Sequence, residues 1–597
     1  MENSGKLKSA VVSAWLLCAA SFCALPEIYS PHELVPAGSW VYDALYRLNM
    51  ESATATVVET APLSVQELRF HFSLIDFDSL SASGKSLYGR VSSFLGRRGA
   101  ALSLGPVRVG FNAIVDLELM LKTSGGIDWT FATDYAGNRD YFGVERTFGA
   151  ASGYEGNDLS RPFLKFRFAI DFADFAAIEL DPFWGKSFWG LSDDGSCTNF
   201  PVPLSEMEFL QPTTAYASAG HLFGAKNVGF NVHIAKEGLQ IGRTRTGSIV
   251  YNDTYQTDAY VQLDLYAQKF KYEMNVVQVD STKFLYLHSV HLAPGRRFRV
   301  GLLEGTQLTQ PFELRYLNPL MIMHSFGSWT EYNDPFGTSE HEDRFGNKIS
   351  EEEKYGEAWC CAYFAATLDV VPTNNLRLYG LFAMNELQLP FEKNSDTGAA
   401  MPNSFAIQLG FEYTVPERRG GYFLAGFEAT YTSPYMYLKQ GEAWSLYRKR
   451  YNMQRDSTYP ICSWMGSPFG PDALAVSAGV GYDMPQRWSA EAGYLFVAHG
   501  ENSFGLFQGK DDLFYPSVLF NTGYLSAEDA ASLAGRFLNG TVQYTHRLTA
   551  KGRCAVSERV ALKGQFTYSL VFNSDNTPGE RAGGAQLSVG VEAKLFK

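Results

Sequence analysis

The stretch YVQLDLYAQKFKYEMNVV, residues 260–277, decides the fold class of this chain. Every second residue is apolar in both halves of the stretch, which are separated by Ala267 and Gln268. These apolar residues are Val261, Leu263, Leu265, Phe270, Tyr272, Met274 and Val276. Successive side chains of a strand point to opposite faces, so the pattern predicts two strands joined by a tight turn. Each strand has one apolar face and one polar or charged face.

The same alternation recurs in three other parts of the chain, with apolar series from Phe166 to Phe172, from Phe405 to Phe411 and from Leu562 to Leu570. A soluble β-sandwich alternates in the same way, so alternation alone does not decide between a sandwich and a membrane barrel. Predicted strands of about ten residues are longer than those of soluble sheets and match a tilted strand that crosses a bilayer.

Short and long connections also alternate, as they do in outer-membrane barrels. Short turns are expected at Ala173–Asp174, Lys236–Gly238, Ala267–Gln268, Ala293–Gly295, Pro372–Asn374, Pro416–Gly420 and Met484–Gln486. Long connections are expected at Lys122–Ser160, Gly185–Lys226, Gly305–Trp359, Thr432–Asp472 and Gly500–Leu538. The predicted strands lie near 107–122, 162–172, 175–184, 227–235, 239–248, 258–267, 268–280, 284–293, 296–305, 360–371, 375–386, 404–414, 421–431, 474–484, 488–498, 539–549, 557–572 and 584–597.

The predicted fold class is therefore all-β and transmembrane: a closed antiparallel outer-membrane β-barrel of about 18 strands. Lipid satisfies no backbone hydrogen bond, so a spanning sheet has to close on itself. The expected partners are outer-membrane lipid and the machinery that assembles outer-membrane barrels, with a monomer favoured over an oligomer. Short turns are expected in the periplasm, and the long loops are expected on the cell surface.

The net charge and the amino-terminal sequence give further information about the partners of the protein and its export. The net charge of −13 argues against nucleic acid as a partner, because nucleic-acid-binding proteins are as a rule basic. Lys6 and Lys8 precede an apolar run from Ala10 to Leu25, which predicts a secretory signal peptide over residues 1–24. A signal anchor is the alternative. The barrel itself is assigned to residues 99–597.

Residues 31–98 have a helical character instead. Ser39 is placed to cap a helix through WVYDALYRLN, and Ser64 with Glu67 forms a capping-box pattern, in which each side chain bonds the other's backbone amide. A third helix is expected from Ser79 to Leu95. So short a segment cannot build its own core, and it is expected to be a periplasmic helical plug at the barrel mouth.

Two stretches carry a resemblance to a known family. The first is YDALYRLNMESATATVVETAPLSVQEL, residues 42–68, and the second is KFLYLHSVHL…FRVGLLEG…ELRYLNPL, from Lys283 to Leu320. Both resemble the Wzi capsule-assembly family. In the first, the match is carried by Asp43, Leu45, Leu48, Pro62, Leu63, Ser64 and Glu67. The resemblance implies an eighteen-stranded barrel with a periplasmic helical bundle, which acts as a surface lectin for exported capsular polysaccharide.

A glycan site is expected in the long connection between Gly305 and Trp359. The candidate ligand-binding residues are Trp329, Tyr332, Asn333, Asp334 and Phe336. Flat aromatic rings stack on sugars, and amides and carboxylates accept hydrogen bonds from hydroxyl groups, so this composition suits surface polysaccharide. The alternative is that these aromatic residues pack the loop into the barrel mouth.

No catalytic group, cofactor site or metal site is predicted, because scattered histidines and acids form no motif that sequence can place together. A porin or solute channel stays open as the alternative to a polysaccharide-binding barrel. Its basis is the charged strand faces that include Lys165, Arg167, Asp171, Lys269, Lys271 and Glu273. Such faces either line water or interlock as a salt-bridged filling, and the sequence does not choose between them.

Overall fold

The fold is known from a computed structural model of the chain. The residues that it describes are 28–55, 59–96, 99, 101–122, 160–187, 196–210, 214–224, 227–252, 258–280, 283–309, 312–319, 323, 360–386, 403–438, 445–454, 457–485, 487–501, 537–557 and 559–595. The predicted signal peptide lies outside these residues.

Eighteen antiparallel strands form one closed barrel within the described residues. They are β1 (Val107–Lys122), β2 (Ser160–Phe172), β3 (Ala176–Leu180, continued by Phe183–Ser187), β4 (Met207–Leu210, continued by Ala215–Phe223), β5 (Val228–Lys236), β6 (Ala259–Ala267), β7 (Phe270–Gln278), β8 (Lys283–Gly295), β9 (Phe298–Thr309), β10 (Cys360–Thr373), β11 (Leu376–Glu386), β12 (Ser404–Pro416), β13 (Tyr422–Thr432), β14 (Ala473–Met484), β15 (Trp488–His499), β16 (Gln543–Ala555), β17 (Val560–Phe572) and β18 (Arg581–Lys594). The barrel closes where β18 pairs with β1, from Gln586 opposite Lys122 to Lys594 opposite Ile114.

The alternating pattern places apolar side chains outside the barrel and polar side chains inside it. On β17, Leu562 and Phe566 are each 46% exposed, whereas Thr567 and Ser569 on the other face are fully buried. On β7, Lys271 and Glu273 point inward and are buried. This outward apolar face is the lipid-facing surface of a transmembrane barrel, which confirms the predicted fold class.

One predicted strand is wrong, and one strand was missed. Residues 239–248 do not enter the barrel wall, because only Gln240–Ile241 is extended and it pairs with Thr60–Ala61 inside the barrel. The strand next to β5 is Ala215–Phe223, which lay within the predicted long connection 185–226. The two errors cancel, so the total of eighteen is unchanged.

The strand ends define two ends of the barrel. The short-turn end carries the connections 173–175, 224–227, 268–269, 296–297, 374–375, 417–421, 485–487 and 556–559. The long-loop end carries the connections 123–159, 188–206, 237–258, 279–282, 310–359, 387–403, 433–472, 500–542 and 573–580. The connection after Lys236 is therefore long and belongs to the long-loop end, where a short turn was expected.

The N-terminal segment, residues 28–99, contains the helices α1 (Trp40–Glu51), α2 (Val65–Ser73) and α3 (Ala82–Gly96). Ser64 caps α2, because its side-chain oxygen accepts a hydrogen bond from the Glu67 amide. The second half of the predicted capping box is wrong, since the Glu67 carboxylate turns into the barrel and pairs with Lys271. Among the described residues, no helix combines the length and apolar character needed to cross a bilayer.

The N-terminal segment lies against the short-turn end. The Ala55 amide donates to the Arg296 carbonyl oxygen at 2.7 Å, and the Asn375 amide donates to the Met50 carbonyl oxygen at 2.8 Å. The Ser83 hydroxyl bonds to the Glu417 carbonyl oxygen, and Arg47 pairs with Asp483. Four different turns or strand ends of the barrel thus hold one side of this segment.

Candidate functional site in the barrel lumen

Two connections fold inward from the long-loop end and meet in the lumen. The first inner connection is the described part of residues 237–258, and the second inner connection is the described part of residues 433–472. The Tyr437 hydroxyl donates to the Ile249 carbonyl oxygen at 2.8 Å, and the Asn252 amide donates to the Met465 carbonyl oxygen at 2.6 Å. The two connections therefore form one packed unit.

Strand side chains from the lumen face pack against this unit. The hydroxyl of Tyr363 on β10 reaches the Val250 carbonyl oxygen at 2.9 Å, and Asn385 on β11 bonds the backbone of Tyr437 and Leu438. One apolar cluster joins the two connections to the inner faces of β4 through β12. On this side the lumen is a protein core instead of a water-filled channel.

Lys271 is the centre of a buried charge cluster that holds α2 to the wall. Its ammonium lies 2.8 Å from Glu67 on α2, 2.6 Å from Glu273 and 3.7 Å from Asp264. All four side chains are almost fully buried. Burial by itself raises the pKa of a carboxyl group, but the Lys271 ammonium and His71 together outweigh burial and hold the pKa of Glu67 below its ordinary value.

Glu59 makes a second ionic contact deep in the lumen. Its carboxylate pairs with Arg299 on β9, accepts a hydrogen bond from Thr367 at 2.7 Å and lies 3.5 Å from His291. Arg299 also reaches Asp369 at 3.2 Å. A buried carboxylate needs such partners, because an unpaired one is costly in a low-dielectric interior.

The first inner connection is tied to α1 by a stack of cations and rings. Arg243 lies 2.7 Å from Asp43 on α1, and its guanidinium stands 4.3 Å from the Tyr46 ring centre. Arg377 on β11 stands 4.7 Å from the same ring and pairs with Glu412 at 3.1 Å. Arginine suits this geometry, since its planar guanidinium stacks on rings and bonds carboxylates at once.

Two further buried carboxylates carry perturbed acidities. Burial raises the pKa of Glu33 to about 7, and the nearby charge of Glu179 raises it too. Arg167 opposes this increase, since its guanidinium lies 3.0 Å from the Glu33 carboxylate and also pairs with Glu179. Burial also raises the pKa of Glu237, in the first inner connection, to about 7, against the hydrogen bond from Thr214 and the charge of Lys165. Charged strand faces thus interlock with inner segments, which was one of the two predicted possibilities.

The other side of the lumen holds a polar cavity of about 840 Å³ between α1 and the inner faces of β13 to β18 and β1. Its lining includes Glu118, Glu491, Lys551, Arg553, Lys563 and Glu592. Cross-strand pairs balance these charges, with Lys551 3.3 Å from Glu491 and Arg553 3.6 Å from Glu592. A hydrophilic neutral solute fits such a lining better than a strongly charged one.

The predicted glycan residues Trp329, Tyr332, Asn333, Asp334 and Phe336 lie outside the described residues. They therefore stay a sequence-based prediction. The lumen residues that hold the N-terminal segment were not singled out from the sequence, apart from the charged strand faces. No sequence pattern around Glu59 or Arg243 indicates their role, because the residues that they pair with are distant in the chain.

No protein-family model matches the chain, and no curated protein matches it. Its fold is similar to the solved structure of Wzi, an outer-membrane protein involved in group 1 capsule assembly in Escherichia coli and described as a carbohydrate-binding β-barrel. The identity is 10% and the TM-score is 0.50, over 93% of this chain and 98% of that one. This similarity shows a shared outer-membrane barrel fold.

Two other solved structures, the outer-membrane channel DcaP and OprD, are similar with lower TM-scores. DcaP of Acinetobacter baumannii has 10% identity and a TM-score of 0.30, over 83% of this chain and 100% of that one. OprD of Pseudomonas aeruginosa has 8% identity and a TM-score of 0.31, over 82% of this chain and 96% of that one.

Proposed function

We propose that this protein is a non-conducting, Wzi-like outer-membrane barrel that binds polysaccharide at the cell surface through its long loops. The observation that carries the proposal is the filling of the lumen by the chain itself. The N-terminal segment and both inner connections occupy the space enclosed by β4 to β12. A barrel filled in this way is built as a scaffold for its loops.

Three features support a glycan as the ligand. The connection 310–359 contains the aromatic and amide residues that suit sugar rings. The sequence resembles the Wzi family at residues 42–68, and the fold is similar to a barrel described as carbohydrate-binding. With the short turns in the periplasm, as in other barrels of this type, the long loops face the cell exterior.

Retention on immobilised surface polysaccharide tests the proposal. The folded full-length protein in neutral detergent should be retained and should elute with the free polysaccharide. A Trp329→Ala, Tyr332→Ala variant should bind about tenfold more weakly, because stacking area is lost. Phe566→Ala with Tyr568→Ala is the matched control, since both rings lie on the lipid-facing surface. Equal retention of wild type and the Trp329, Tyr332 variant would exclude the assigned site, and no retention of wild type would exclude the function.

A solute channel is the second candidate, and the polar cavity beside α1 favours it. Its balanced charges suit a hydrophilic solute of small size. Uptake into vesicles distinguishes the two functions. Swelling of protein-containing vesicles in an isotonic solution of a small sugar would support the channel, whereas vesicles that do not swell would support the binding protein.

A further inference from the structure

Three turns at the short-turn end share one arrangement of side chains. In each, a basic residue comes directly before the first residue of a strand, and that first residue is aromatic. The three pairs are Lys269–Phe270, Arg297–Phe298 and Arg487–Trp488. All three basic side chains are exposed. We call these three turns, together with the turn 417–421, the basic rim.

The aromatic members of these pairs belong to the outer surface of the barrel. Phe270, Phe298 and Trp488 are 40%, 39% and 43% exposed. Residues that are an even number of positions apart on a strand lie on the same face. On β9, for example, Phe298 is four positions from Leu302, which is exposed on the outer surface. The rings therefore lie at the edge of the lipid-facing belt, where aromatic residues meet the head-group layer.

A continuous aromatic row strengthens this edge between β13 and β15. The Phe423 and Tyr482 rings are 4.9 Å apart, and the Tyr482 and Trp488 rings are also 4.9 Å apart. The adjoining turn 417–421 carries Arg418 and Arg419, and both are exposed. Cations thus stand just beyond a belt of rings, on the side away from the hydrocarbon.

The basic rim carries a net positive charge, whereas the protein as a whole is negatively charged. The chain carries a net charge of −13. The described rim turns hold one acid, Glu417, and its carboxylate already accepts a hydrogen bond from Tyr482 at 3.3 Å. Arg297 donates to the Pro372 carbonyl oxygen at 2.9 Å, which is a neutral acceptor. Basic side chains held this way suit an anionic ligand.

We propose that the basic rim binds the head groups of anionic phospholipids in the leaflet that meets the short-turn end. The rings set the depth of the barrel in the bilayer, and the neighbouring cations reach the phosphate oxygens. The same contact places the N-terminal segment at the surface of that leaflet. This inference is independent of the proposed function, because it depends on the outer edge of the barrel and not on its loops or lumen.

Lipid retention after extraction tests it. The folded full-length protein is reconstituted into vesicles of equal parts phosphatidylcholine and phosphatidylglycerol, extracted in neutral detergent, and its bound lipids are counted by native mass spectrometry. Wild type should be enriched in phosphatidylglycerol. The variant Lys269→Gln, Arg297→Gln, Arg487→Gln should lose that enrichment by roughly a hundredfold, because each of the three cations near the membrane surface contributes about fivefold.

The matched control is Lys551→Gln, Arg553→Gln, Lys563→Gln, which changes the charge equally but faces the lumen. It should retain phosphatidylglycerol as wild type does, and so should the charge-preserving Lys269→Arg, Arg297→Lys, Arg487→Lys variant. Added salt should lower the enrichment on wild type, which tests the inference without any substitution. Absence of enrichment on wild type, equal enrichment on the rim variant, or displacement of the lipid by inorganic phosphate alone would overturn it.

Discussion

At the scale of single residues, Lys271 is where the barrel wall and the N-terminal segment meet. Its ammonium contacts the carboxyl groups of Glu67 from α2 and of Glu273 and Asp264 from the wall, all in a buried setting. Alternation in the sequence predicts that Lys271 and Glu273 share a face, because they are two positions apart. It does not predict their partner, since Glu67 is in another element and was expected to cap its own helix.

Lys271→Met should destabilise the folded protein by about 3 to 5 kcal/mol, because it leaves three buried carboxylates without their cation. The free energy of unfolding, measured by tryptophan fluorescence in urea with the protein in vesicles of phosphatidylcholine, which has no net charge, checks this. Combining it with Glu67→Gln should restore part of the loss, since one of the stranded charges is removed.

Lys269→Met is the matched control for that change. Lys269 is in the same hairpin but is exposed, so its loss should change the free energy of unfolding by less than about 0.5 kcal/mol. Similar effects of the two substitutions would mean that the buried cluster contributes nothing specific.

Glu237 should make stability depend on pH. Burial raises its pKa from 4.5 to about 7. A raised folded-state pKa gives stability that is complete below 4.5 and is lost as pH rises through about 7. Glu237→Gln mimics the protonated form, so the variant should match wild type in acid and exceed it by roughly 2 to 3 kcal/mol above pH 7.

Unfolding titrations at several pH values measure the difference. Glu580→Gln serves as the comparison, because Glu580 is exposed at the long-loop end. If Glu237→Gln and wild type keep a constant difference from acid to alkaline pH, the carboxyl is not protonated in the folded protein.

At the scale of elements, regular strands were predictable and the inward connections were not. Strong alternation located β7 and β17 because their outer residues are large and apolar. Ala215–Phe223 was missed because it is mostly small residues, whose contrast between faces is weak. Residues 239–248 were predicted to be a strand because Leu239 and Ile241 alternate with other residues. These two side chains are apolar because they are buried in the core inside the lumen, and not because they face lipid.

The contact between the two inner connections should be sensitive to one added methyl group. A Cβ at Gly466 would overlap the Tyr437 hydroxyl and the Ile249 carbonyl oxygen. Gly466→Ala should therefore cost about 1 to 3 kcal/mol in the free energy of unfolding, because overpacking forces the backbone to shift.

Gly238→Ala is the control within the first inner connection, because a Cβ there would meet nothing within 4 Å. It should leave the denaturation midpoint nearly unchanged. Equal midpoints for Gly466→Ala and Gly238→Ala would show that the two connections do not pack tightly in solution.

At the scale of the whole molecule, the barrel and its filling are one structure. The closed sheet could be predicted from period and turn spacing, since both are local features of the sequence. The state of the lumen could not, because charged strand faces are compatible with either water or an interlocking segment. Contacts between distant parts of the chain, such as Glu59 with Arg299, decide it in favour of a largely filled lumen.

Single-channel conductance of the full-length protein in a planar bilayer tests the filled lumen most directly. We expect no large, stable openings for wild type, and brief openings of higher frequency for Lys271→Met, because this substitution loosens α2 from the wall. Large and long-lived openings of the wild-type protein would contradict it.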